Sequence, residues 1–102
     1  MGTLRIAAAG VFLALSAWAQ QNAKDIYLDK CSVCHGADGA GKTAKGRKLK
    51  VKDVHETDSK ISAADMIKIV EKGKGSDMDA YGKELSKDQI KAVVDYYRSL
   101  AK

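Results

Sequence analysis

Toward the C-terminus the apolar residues return at helical spacing. Ile90, Val93, Val94, Tyr97 and Leu100 stand at i, i+3, i+4, i+7 and i+10 and draw one stripe along a helix. Ser86 precedes that stripe and Gln89 follows three residues later, the pattern of a capping box, so a helix is predicted from Ser86 onward. A shorter middle helix is predicted behind Ser62 and Asp65, carrying Met66, Ile67, Ile69 and Val70 and stopped by Gly73. The first helix is placed from about Asn22, read as its cap, through Ala23, Ile26, Tyr27 and Lys30 to the region of Cys31. Between the first two helices lie roughly 25 residues with Gly36, Gly39, Gly41 and Gly46 and no period, which reads as one long loop. No stretch alternates with the period of a strand, so the fold class expected is all-α, built from three main helices.

The pattern ahead of residue 20 is different. Arg5 is followed by an apolar run from Ile6 to Leu15, broken only by Gly10, and then by Ala17-Trp18-Ala19. A positive start, a short apolar stretch and an A-x-A site make a secretory signal over residues 1–19, leaving a single domain over residues 20–102. The apolar run falls short of the roughly 20 residues a spanning helix needs, so no lasting membrane insertion is expected. No Cys lies near the cleavage site to take a lipid. The mature chain is expected to be soluble and periplasmic or otherwise exported.

Removing that segment changes what can form a core. Phe12 and Trp18, the chain's one Phe and one Trp, leave with it, and four Tyr are the aromatic residues that remain. A domain this small buries little and usually needs a disulfide, a metal or a cofactor as well. A long loop is suspect in an ordinary domain, but not in one that wraps a cofactor. The formal charge of +5 drops by one, since Arg5 is the only charged residue lost.

The candidate chemistry sits where the first helix ends. Cys31-Ser32-Val33-Cys34-His35 is the C-x-x-C-H haem attachment sequence. One helical turn presents both thiols on one side for addition to the haem vinyl groups. His35 follows at once and can bind the iron. A zinc site lacks its second ligand pair, since only His55 remains. A thioredoxin-like centre needs strands alternating with helices and free thiols. A disulfide closing so small a loop would staple little.

From these residues the chain resembles the small class I cytochromes c. The resemblance is carried by Ile26-Tyr27 ahead of Cys31, by Cys34-His35-Gly36-Ala37-Asp38-Gly39 with Gly41, and by Gly73 to Leu85 before the last helix. It implies a cytochrome c-like fold, with the helices and the long loop around one covalently bound haem c. It also implies a Met ligand opposite the His, and Met78 stands in that position. Met66 lies on the stripe of the middle helix, where Met is a core filler, and His55 beside Asp53, Glu56 and Asp58 reads as a solvated surface residue. The expected site is therefore Cys31, Cys34, His35 and Met78, with His35 and Met78 on the iron and all four lining one cavity. The chain departs from the family where Asp79, not Pro, follows Met78, and where Gly46-Arg47 replaces Gly-Pro; Pro pre-sets the backbone, so its loss loosens both loops.

Filled axial positions leave no place for a substrate. The expected function is a single-haem electron carrier, not an enzyme, exchanging one electron with redox partner proteins by outer-sphere transfer. Two other readings remain: an electron-entry subunit of a larger periplasmic oxidoreductase, and a ligand-binding or peroxidatic haem protein, which would require Met78 off the iron. Lys42, Lys45, Arg47, Lys48, Lys50 and Lys52 form a run without an acid, and Lys72 and Lys74 precede Met78. In the family both segments lie near the haem edge, where they would steer partners with acidic surfaces. Nucleic acid is excluded as a partner by export and by the lack of interleaved aromatics. The chain is expected to be a monomer.

Overall fold

The computed structural model describes residues 22–102, so the predicted secretory segment lies outside the described residues. The first helix, α1, is α-helical over 22–26, π-helical over Tyr27–Cys31 and α-helical again over Ser32–His35. Asn22 is itself helical and so is no cap, a one-residue difference of the kind common at helix ends. Four more helices follow: α2 (Ala44–Leu49), α3 (Val54–Lys60), α4 (Ala63–Lys72) and α5 (Lys87–Ser99). The described residues form no strand, and one isolated bridge joins Lys74 to Met78. The all-α expectation stands. The long loop, however, contains α2 and α3, which are too short to show a period and start instead on side-chain caps, Thr43 Oγ1 for the Gly46 amide and Asp53 for the His55 amide.

α5 is the centre of the packing, in contact with α4, α3 and α1. Its capping box closes as the sequence predicts: the Gln89 amide donates to Ser86 Oγ at 3.1 Å, and the Ser86 amide donates to Gln89 Oε1 at 2.9 Å. Ile90, Val93 and Val94 are buried beneath it, together with Leu85, Met66 of α4, Val54 of α3, and Ala23 and Tyr27 of α1. Burying a side chain such as Ile90 contributes about 1.5–3 kcal/mol. The Tyr27 ring lies 5.3 Å from that of Tyr96 and 6.0 Å from that of Tyr97, so the first and last helices meet through these rings.

The segment after α4 folds back on the helix that precedes it. The Lys74 amide donates to the Met78 carbonyl at 2.9 Å, and the amides of Tyr81 and Gly82 donate to the carbonyls of Val70 and Glu71, which a helix end leaves unpaired. Gly73 makes the reversal possible. Its φ is +75°, and a Cβ there would stand 2.5 Å from the Met78 carbonyl oxygen.

Candidate functional site

The last turn of α1 carries Cys31, Cys34 and His35, and the turn before it is a π-helix in which the Ser32 amide donates to the Tyr27 carbonyl, five residues back. Such single π turns often mark functional sites. The carbonyls that close α1 are then taken up one by one. Ser32 accepts from the Gly36 amide at 2.8 Å, Val33 from Thr43 Oγ1 at 2.7 Å, and His35 from the Gly41 amide at 2.8 Å. Cys34 lies 3.2 Å from the same Thr43 hydroxyl, and the Gly36 carbonyl accepts from the Tyr27 hydroxyl at 2.6 Å. The glycine-rich segment therefore serves as the C-terminal cap of the Cys-Cys-His helix. Gly46 shows how closely the two pack: a Cβ there would run into the Cys34 carbonyl oxygen.

Both thiols are unpaired, though three residues apart, and both are half-buried. Burial pushes the Cys31 thiol up to about 11, partly offset by the nearby Lys30 charge, so it stays protonated at neutral pH. A reactive redox cysteine needs the opposite shift. The His35 ring meets the edge of Tyr97 at 5.2 Å, and burial holds the imidazole below its usual pKa, which favours the neutral form with one ring nitrogen free to bind a metal. Its Nδ1 is buried without a partner, a state that costs about 1–3 kcal/mol for a polar group.

Met78 is half-buried on the returning segment, whereas Met66 is 6% exposed in the core, as its place on the stripe implied. A cavity of about 630 Å³ opens between that segment and α1, lined by Asp29, Lys30, Asp79, Ala80, Tyr81 and Glu84. This cavity is a different place from the one expected to be lined by Cys31, Cys34, His35 and Met78, none of which is in its walls. The walls come from residues that neighbour Cys31 and Met78 along the chain. Two bonds span the gap, the Tyr81 hydroxyl to the Lys30 carbonyl at 3.3 Å and the Lys30–Glu84 ion pair at 3.6 Å. His55 is exposed and pairs with Asp53 at 2.8 Å.

The family model for cytochrome c oxidase, cbb3-type, subunit III matches residues 19–96. The chain belongs to this family. Among solved structures it is similar to the KustC0563 c-type cytochrome, with 28% identity and a TM-score of 0.72 over 78% of this chain and 96% of that one. A search of curated proteins finds no match. The chain is thus a small c-type cytochrome with covalently bound haem c, and its role is that of a haem-based electron carrier.

The donors present fit that cofactor. Two unpaired thiols on one helical turn, a buried neutral imidazole with an unsatisfied nitrogen, and a thioether outside the core are the sulfur and nitrogen groups that haem attachment and ligation use. Sequence reasoning missed the roles of Thr43, which fixes carbonyls of this helix, and of Tyr27, which fixes the Gly36 carbonyl just after it. Neither lies within helical reach of the bond it makes, so no local pattern announces it.

Proposed function

We propose that the cytochrome is an exported single-haem electron carrier, held to its cofactor by Cys31 and Cys34, with His35 and Met78 as axial ligands, and that it passes one electron between partner proteins without catalysing a reaction of its own. Bound there, haem supplies a one-electron couple. The chain supplies the rest. The carbonyl cage around α1 fixes the direction of Cys31, Cys34 and His35, burial keeps His35 neutral, and the hairpin closed by Lys74 and Met78 limits the movement of the Met78 thioether. A thioether ligand favours the ferrous state and raises the potential above that of a bis-His site. Two axial ligands also deny substrates the metal.

The observation that carries the reading is the difference between the two methionines: Met66 is spent in the core, and Met78 is half-buried on a pinned segment. Export is supported by the signal pattern of residues 1–19. Partners with acidic faces are supported by the exposed run Lys42, Lys45, Arg47, Lys48, Lys50 and Lys52, none of which forms an ion pair among the described residues. Thr43 ties α2, which bears part of this run, directly to the Cys-Cys-His turn. Such a face accelerates encounter in a salt-dependent way.

The test is expression in a host that matures haem c. The product should be exported, lack residues 1–19, gain the mass of one haem, and show in its ferric spectrum the weak red-edge band of Met ligation. Met78→Ala should keep the covalent haem, lose the band, lower the potential and open the iron to added ligands. A ferric spectrum indifferent to Met78→Ala removes the axial assignment. The family match favours a second reading, an electron-entry module within a larger oxidoreductase. Gel filtration of the native protein separates the two, a monomer supporting the free carrier and a stable complex the module.

A further inference from the structure

The segment that carries Met78 is well fastened to α4 and barely fastened to the helix bearing the cysteines. On the α4 side it has the Tyr81 and Gly82 amides on Val70 and Glu71. On the α1 side lies the 630 Å³ cavity, and across it only two polar links appear among the described residues. The Lys30–Glu84 pair is exposed, with Glu84 Oε2 3.6 Å from the ammonium and its side chain 59% accessible, so water and salt weaken it. The other link is the Tyr81 hydroxyl. It donates to the carbonyl of Lys30, the residue immediately before Cys31, from a half-buried ring.

Tyr81 is held at its other polar groups as well. Its amide donates to Val70 and its carbonyl accepts from Glu84 and Leu85. The hydroxyl is therefore presented by a fixed backbone three residues after Met78. We infer that Tyr81 is a positioning residue for Met78: its hydroxyl latches the Met78 segment to the attachment helix and sets how readily the thioether leaves the iron. This rests on the reading of Met78 as the sixth ligand. Losing the hydroxyl leaves both anchor points to α4 intact, so the segment swings outward across the cavity and does not unfold.

The experiment is imidazole titration of the ferric holoprotein, since imidazole binds only where the sixth ligand yields. Tyr81→Phe should bind it about three- to tenfold more tightly than the parent, the size of one hydrogen bond converted at 1.4 kcal/mol per factor of ten. Met78→Ala should bind it far more tightly still, and adding Tyr81→Phe to Met78→Ala should change nothing further. Glu84→Gln, which breaks only the exposed pair, should shift affinity less than twofold. If Met78→Ala binds imidazole no better than the parent, the ligand reading itself fails. If Met78→Ala does open the iron but Tyr81→Phe matches the parent, or acts equally with Met78 absent, the latch alone is overturned. An effect of Glu84→Gln as large as that of Tyr81→Phe also overturns it, by moving the role to the ion pair.

Discussion

Replacing Asp79 by Pro tests two separable effects at the residue after Met78. The Asp79 amide donates to no acceptor among the described residues, so Pro removes no hydrogen bond there. Met78 itself pairs with Lys74 in an isolated bridge, and a residue before Pro prefers an extended backbone. Where the native dihedrals suit Pro, the substitution acts by restricting the open segment. That favours the closed form by roughly 0.4–1 kcal/mol. For ligand loss coupled to one proton, the midpoint pH should rise by about 0.3–0.7 units, at 1.36 kcal/mol per unit. The second effect is charge. Asp79 is exposed, and its carboxylate favours the ferric state through screened solvent, so its removal should raise the potential slightly. Asp79→Ala removes the charge alone. It should shift the potential as Asp79→Pro does and leave the ligand-loss pH near that of the parent. A pH titration of the Met-dependent ferric band, with voltammetry on the same samples, reads both. Equal ligand-loss pH for the Pro and Ala variants refutes the backbone argument.

Met66→Ala should cost about 2–5 kcal/mol in urea unfolding, as large-to-small core changes do, while the ferric band stays in place; a lost band would move the ligand to Met66. Gly46→Ala should destabilise by roughly 1–3 kcal/mol even though Ala is the better helix former, because its Cβ meets fixed backbone at Cys34 and Gly41; a stabilised variant in thermal melts would show the helix end can yield. Asp53 has its pKa lowered by the His55 amide bond and then by the His55 ring, so the stability it contributes is present above its unfolded value near 3.9 and lost as pH falls through the lower native one. Asp53→Asn should flatten that part of the acid unfolding profile, and an unchanged profile would remove Asp53 from it.

The parts of this molecule that sequence revealed are those decided within one turn of chain. The Ser86–Gln89 box, the stripe of Ile90, Val93 and Val94, and the C-x-x-C-H spacing each state their physics in a few neighbouring residues. The two helices hidden in the long loop are decided locally too, but by caps and not by periodicity. Asp53 with Glu56 three residues on is a capping signature that was there to be read. What sequence could not supply is the assignment of α1's last carbonyls to Thr43 and Gly41, and of the Gly36 carbonyl just beyond it to Tyr27, because those bonds join residues whose approach depends on the whole path of the chain. The cavity beside Tyr81 is likewise a property of two segments far apart in the chain.

The π turn constrains chain length in a way that no single substitution reveals. It places one residue more than an α-helix would between the buried face of Ala23 and Tyr27 and the face of Cys31, Cys34 and His35. Deleting one residue from Leu28 to Lys30 would let the helix run on regularly, and one residue is about 100° of rotation. Tyr27 would keep its place against α5, and the cysteines would swing about a quarter turn away from the glycine-rich cap. Between these two faces the chain therefore tolerates changes of residue far better than changes of number, although Leu28 itself is exposed to solvent.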